Sequence, residues 1–395
     1  MNALPREHRI AVSVELAQGR VARLEISARR PVGVGRLAFG KPADGVVALV
    51  PRLFALCASA QRAAASCALA AARGEIMPRE QMAAQAGAVL AERLIELLRG
   101  TITSFAGDRL PAFMPQLRDL IAAARRFDGR SLLEAEAIAA LAQGLDALGL
   151  PAGSFDDAGA YHTWLRSVSP LAQLHSARAP SPRVRGEGRG EGASPQSRAF
   201  PIPAPGQPDF AAIAVDPLTA DDDSLVGEQL LRHGACFATR PDLAGRIPET
   251  GALARLADHP LICSVGTGVA GRQLARLVEA QATPRLLHAL RRGDADAAAI
   301  LQATRLGDGV GLGAVECARG RLHHLIALDS TGRIARYEIL APTEWNFHPQ
   351  GPLARALIGA PLSATEADRQ RVVSLVAAFD PCVGYDVTLR EAADA

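Results

Sequence analysis

From Arg9 to Ala28 apolar and polar residues alternate (RIAVSVELAQGRVARLEISA) on either side of Gln18–Gly19. A period of two puts every second side chain on one face of a strand, and Gln-Gly supplies a turn, so a β-hairpin is expected. From about residue 47 to 150 the period lengthens. LCASAQRAAASCALAAA, QMAAQAGAVLAERLIELLRG and EAEAIAALAQGLDALG carry apolar residues every three or four positions, the spacing of packed helices. The pattern then fails. Residues 176–209, SARAPSPRVRGEGRGEGASPQSRAFPIPAPGQPD, are dense in Pro, Gly, Ser and Arg. They cannot bury enough surface to offset chain entropy and are expected to be a disordered insertion. Glu187 and Glu191 interleave the arginines there, which weakens the rival reading of a basic binding tract.

Beyond the insertion, HPLICSVG reads as a short strand and is followed by helices at about 271–281, 283–292 and 294–304. RLHHLIALDSTGRIARYEILA reads as a second hairpin with Asp329–Gly332 in the turn, and TEADRQRVVSLVAAF as a last helix. Hairpin, helices, hairpin, helix is the order of an α+β protein with a mainly helical core. Residues 1–175 and 210–395 would be its two parts.

At 395 residues, 49% of them apolar, the chain can bury a real core. A net charge of +2 gives no general electrostatic case for nucleic acid or an anionic membrane. Lys41 is the one lysine, which removes P-loop and most Schiff-base chemistry. MNALPREHRIAVSVEL lacks the features of a signal peptide, and no apolar run reaches spanning length. The six cysteines form no C-x-x-C pair, so reduced thiols in the cytoplasm are expected.

GTGVAG, Gly266–Gly271, is a literal G-x-G-x-x-G. A dinucleotide site also needs a second parallel strand ending in an acidic residue, whereas Glu279 falls inside a helix. Close helix packing is the better account of these glycines. The nine histidines show no H-E-x-x-H. His323 and His324, adjacent on a strand, face opposite ways and are expected to be surface and core residues rather than joint ligands. Cys67, Cys236, Cys263 and Cys317 are assigned the role of small buried hydrophobes.

Cys57 and Cys382 have distinctive neighbours. RLFALCASAQ (52–61), VECARGRLHHLIALDSTGRIARYEILAPTEWN (315–346), GPLARALIG (351–359) and RVVSLVAAFDPCVGY (371–385) resemble, in order, landmarks of the large subunit of nickel–iron hydrogenases. In that family an N-terminal R-x-C-G-x-C-x-x-x-H and a C-terminal D-P-C-x-x-C-x-x-H supply four thiolates to a nickel–iron centre. Here Arg52 and Cys57 match at the first motif, while Phe54, Ala55 and Gln61 replace its first Cys, its Gly and its His. At the second, Asp380, Pro381 and Cys382 match, and Tyr385 and Thr388 replace the last Cys and the His. ECARG resembles an E-x-P-R-G segment whose Arg lies over the iron's diatomic ligands; Arg319 matches it, with Ala318 in place of proline. APTEWN resembles a P-[ST]-x-W-N segment around a cyanide ligand, matched by Pro342 and Thr343. VGTGVAGRQLARLVE resembles a family helix, and the family's N-terminal proton-path Glu finds no clean match near Pro5.

The resemblance implies the fold of that large subunit, with both halves of the chain in one domain, and the departures imply a changed role. Phe and Tyr cannot replace soft thiolates, so neither nickel nor a working hydrogen-splitting centre is expected. One thiolate survives at each end, beside Arg319, Pro342, Thr343 and Asp380. The family's C-terminal processing signal is incomplete, as expected of a chain that bypasses that maturation step. This combination resembles the HupK/HoxV type of hydrogenase accessory protein. It implies a non-enzymatic scaffold on which Cys57 and Cys382 transiently hold an Fe(CN)2(CO) unit for an apo large subunit, with maturation chaperones as further partners. Cys57 matches a bridging thiolate but Cys382 a terminal nickel ligand, so the iron or the cysteine would have to shift. Two alternatives stand beside it: a metal-free large-subunit mimic that binds those chaperones, and a quinone-reductase-like subunit of a redox complex.

Overall fold

The structure, a computed structural model, describes residues 9–28, 34–54, 56–176 and 209–392. The expected insertion, Ser176 and Asp209 apart, and the stretch around Pro5 lie outside the described residues. The first alternating segment forms its hairpin. Strands β1 (Arg9–Ala17) and β2 (Arg20–Ala28) pair antiparallel, with Ile10 opposite Ala28 and Val14 opposite Leu24. Ile10, Val12, Val14 and Leu16 form its buried face. Gln18 and Gly19 both take positive φ, as a tight hairpin turn with matching twist requires.

The helical region follows its period. Helices Ala58–Arg73, Arg79–Phe105, Leu110–Ala124 and Ala135–Leu148 pack with helix Val269–Arg292 around the main core. Three expectations in the second half fail. HPLICSVG is not a strand: Pro260–Val265 is a short helix, opened by Pro260 and by the His259 ring accepting from the Leu261 N–H. A short apolar run has no period that separates the two states. The helices expected at 271–281 and 283–292 are one, because burial along Val269–Arg292 holds the helix through Pro284 despite its missing N–H. The expected helix at 294–304 is instead a 3-10 turn, Ala297–Ala299, followed by strand β3 (Leu301–Gly307).

With β4 (Val310–Cys317), β5 (Gly320–Leu328) and β6 (Ile334–Leu340), β3 builds an antiparallel sheet in sequential order. The β5–β6 hairpin is the one expected. Helix Ala58–Arg73 lies backbone-close on β4. A Cβ at Gly311 would collide with the backbone of Ala68 and Ala72, and one at Gly313 with that of Ala64 and Ala68. Glycine on the strand and alanine on the helix permit this approach. On the other face, Leu306 and Leu312 meet Gly227 of helix Asp223–His233. Covered on both sides, β5 buries both His323 and His324, so neither is a surface residue. His323 Nε2 lies 2.9 Å from Asp223, and His324 bridges Gln61 and Tyr337 at 2.8 Å each.

Helix Glu366–Ala378 forms as expected, with Thr365 accepting from the Asp368 N–H. After it comes a strand the sequence reading missed, β7 (Gly384–Glu391), which pairs in parallel with β1, Ile10 opposite Tyr385. The two ends of the described chain thus share the sheet β2-β1-β7. At GTGVAG, Asp209 accepts from the Ala270 and Gly271 N–H groups, both at 3.1 Å, filling the helix N-terminus with a carboxylate of the chain itself. A Cβ at Gly271 would strike the Gly266 carbonyl, so close packing accounts for that glycine. Cys67 and Cys317 are buried, but Cys236 and Cys263 are exposed, against expectation. No helix among the described residues is long and apolar enough to cross a membrane.

Candidate functional site

The β4–β5 connection is a two-residue turn, Ala318–Arg319, closed by the Cys317–Gly320 pair. Gly320 has φ 127° and leaves no room for a Cβ against Thr250, so glycine is required there. This turn carries Arg319 into the interior. Its guanidinium reaches Glu96 of helix Arg79–Phe105 at 3.1 Å and Asp380 at 3.6 Å. The Arg319–Asp380 contact is electrostatic rather than hydrogen-bonded, and both Arg319 Nε and Asp380 Oδ2 are buried without a hydrogen-bond partner among the described residues. Burial disfavours the Arg319 cation, but Asp380, Glu96 and Cys382 outweigh it and hold its pKa above the ordinary value. Asp380 adopts φ 51°, an uncommon left-handed setting for a non-glycine residue. Its Oδ1 lies 2.7 Å from where a Cβ on Gly100 would stand.

Cys57 caps helix Ala58–Arg73 with its backbone, but its side chain accepts no cap hydrogen bond. Glu92 does that work from the neighbouring helix, accepting from the Ser59 and Ala60 N–H groups at 2.7 and 3.1 Å. Burial raises the Glu92 carboxyl to about 7, against those two bonds. The Cys57 sulfur instead meets Gln61 Nε2 at 3.6 Å. Burial pushes this thiol well above its ordinary pKa, Cys317 and Glu92 add to the rise, and Gln61 and Arg319 oppose it. Burial likewise raises Cys317 to about 11, opposed by the nearby Arg319 backbone and by the Arg319 charge.

Cys382 is half-buried in the bend between helix Glu366–Ala378 and β7. Its sulfur lies 3.6 Å from the hydroxyl of Thr343, which follows Pro342 at the start of helix Pro342–Asn346. Of the six residues singled out from the sequence, Arg319 therefore meets Asp380, and Thr343 meets Cys382. Pro342 sets the helix that presents Thr343. Cys57 joins them only through the charge of Arg319, which favours the thiolates of Cys57 and Cys317 and is itself favoured by Cys382. Among the described residues no group of three or more His, Cys, Asp or Glu is arranged around a metal position.

Arg319, Asp380, Arg276 and Asn346 border a cavity of about 20 Å³, room for one water-sized group. A cleft of about 600 Å³ opens elsewhere, lined by Arg52, Arg62 and Gln85 but by none of the six. Sequence reasoning missed Glu92, Glu96 and the part played by Cys317. The signal for the carboxylates was present: Glu92 and Glu96 stand four apart in VLAERLIELL, on one face of the helix.

Comparison with known proteins bears on the family and the fold. Residues 254–387 match the family model described as nickel-dependent hydrogenase. The chain is 36% identical to hydrogenase expression/formation protein HupK of Bradyrhizobium diazoefficiens over 100% of both chains. It is 31% identical to hydrogenase expression/formation protein HoxV of Cupriavidus necator, over 93% of each. Among solved structures, the Ni-Fe-Se hydrogenase from D. vulgaris Hildenborough superimposes with a TM-score of 0.57 at 16% identity, covering 93% of this chain and 96% of that one. The fold is that of the nickel–iron hydrogenase large subunit, and the chain belongs to the HupK/HoxV family of hydrogenase expression/formation proteins.

Proposed function

We propose that this protein serves hydrogenase maturation as a carrier, holding an Fe(CN)2(CO) unit as cargo for the apo large subunit of a nickel–iron hydrogenase, without splitting hydrogen itself. The observation that carries this reading is Arg319: a buried cation whose Nε lacks a hydrogen-bond partner, with a charge interaction to each of three thiols. Cyanide nitrogens are strong acceptors, and a guanidinium N–H with the Thr343 hydroxyl are suitable donors for them. Low-spin iron with such ligands needs few protein bonds. Cys57 supplies one sulfur, and Cys382, beside Thr343, is the second sulfur the sequence points to. Phe54 and Tyr385, standing where nickel would need thiolates, favour carrying over turnover. Because burial keeps the empty Cys57 thiol protonated, loading displaces its proton and is favoured by rising pH.

Maturation chaperones and the apo large subunit are the partners of this reading, and the cytoplasm is its compartment. Infrared spectra of the protein purified without oxygen, from cells expressing the maturation genes, test it. Cyanide and carbonyl stretches are expected, and Cys57→Ala should abolish them whereas Cys67→Ala should not. A spectrum without those bands, on a protein free of iron, would leave a metal-free mimic that engages the chaperones. Cys382 within D-P-C speaks against the redox-complex alternative, which has no use for a thiol there.

A further inference from the structure

Cys317 was expected to be an inert core thiol, yet its position is set by the close backbone packing of β4 on helix Ala58–Arg73. On β4 the residues 311, 313, 315 and 317 share one face, since side chains alternate along a strand. That face looks at helix Ala58–Arg73. Gly311 lies against Ala68 and Ala72, and Gly313 against Ala64 and Ala68. Each two-residue step toward the hairpin tip therefore moves about four residues back along the helix. The two spacings agree, at about 6.6 Å for two strand residues and about 6 Å for four helical ones. Continued, the register sets Val315 near Ala60 and Cys317 at the first turn, where Cys57 is the cap. Ala60, Val315 and Cys317 belong to the same core cluster, and Cys57 packs against it.

We propose that Cys317, rather than Cys382, supplies the second sulfur of the cargo site, so that iron is held between the cap of helix Ala58–Arg73 and the tip of the β4–β5 hairpin. The inference rests on the carrier reading for the identity of the cargo, though the thiol pair itself does not. Cys57 is half-buried, which gives the pair an opening, while the Cys382 sulfur lies beside Thr343. The charges also fit. Two thiolates added to the formally neutral iron unit make a dianion, and Arg319 is the buried cation whose field reaches both sulfurs.

Cadmium tests the pair without the cargo. In a Cys236→Ser/Cys263→Ser background, which removes the exposed thiols, Cd²⁺ is titrated and followed by its thiolate charge-transfer absorption. One ion is expected to bind, with Cys57→Ser and Cys317→Ser each weakening binding about tenfold or more, and Cys382→Ser weakening it less. A short bis-alkylating reagent on the same background protein should join Cys57 to Cys317, read by peptide mass spectrometry, so the test survives a variant that folds poorly. No cadmium site, a Cys317→Ser variant that binds as before, a Cys382→Ser loss equal to it, or a bridge that leaves out Cys317 each overturns the proposal. Infrared spectra separate the two ideas. Bands that persist in Cys317→Ser would end the pair and keep the carrier, whereas a cadmium pair in a protein that never shows bands would do the reverse.

Discussion

Arg319 stands between two carboxylates, Glu96 on one side and Asp380 on the other, with little access to water. Removing one partner from such an arrangement leaves the others charged in a poorly solvated place, which costs more than the pair itself contributes. Arg319→Ala is therefore expected to lower unfolding free energy by about 3 kcal/mol, read by urea denaturation. Pairing that change with Asp380→Asn should recover part of the loss, because Glu96 keeps its ion pair with Arg99 whereas Asp380 is the carboxylate left without its partner. Asp380 is held less by its own backbone, which sits at φ 51°, than by Gly100, whose missing side chain admits the carboxylate. Gly100→Ala should thus disturb Asp380 without touching the helix's exposed surface. The residues that carry Arg319 and Asp380 were readable as motifs. Their partners were not, because Glu96 meets Arg319 across 223 positions and nothing local in VLAERLIELL states that distance.

Helix Ala58–Arg73 and strand β4 lie closer than side chains normally allow, and that contact is the mechanical base of the thiol pair. Gly313→Ala would drive a methyl group into the backbone at Ala64 and Ala68, which cannot swing aside as a side chain could. A loss of about 2 kcal/mol is expected, and cadmium binding should fall with it because Cys57 rides on the displaced helix. Gly45→Ala is the contrasting case. It lies in helix Ala43–Leu49 with nothing within 4 Å of the new methyl, so thermal melting should show a small gain from helix propensity. Legibility follows the same physics. The β1–β2 and β5–β6 hairpins announce themselves through turns and alternation. β4, VGLGAVEC, is buried on nearly every residue and loses the polar half of the pattern, so its burial from both sides erased its signal. β3 was read as helix for want of a turn in front of it, and Pro284 suggested a break that burial of the surrounding helix overrides.

Across the whole molecule, acid sensitivity should come from histidines folded in their neutral form. Burial lowers His175 to about 4 and His324 to about 3, both below the ordinary value near 6.5. The unfolded chain then binds protons that the folded one refuses, so stability is full above about pH 6.5 and falls as pH drops toward 4. Melting temperature measured across that range should fall, and His175→Phe, set against Trp164, should make the fall shallower. The sheet β2-β1-β7 has a consequence of another kind. Thr388 lies opposite Ser13, 375 positions earlier, and β7 leaves the ribosome after every other described strand and helix. Until it docks, β1 has one open edge, and Cys382, two residues ahead of β7, is fixed from the helix side alone. The register of the last strand is thereby a report on whether synthesis of the described fold is finished: a nascent chain can present Cys57 and Cys317 well before it can present the D-P-C turn in its final place.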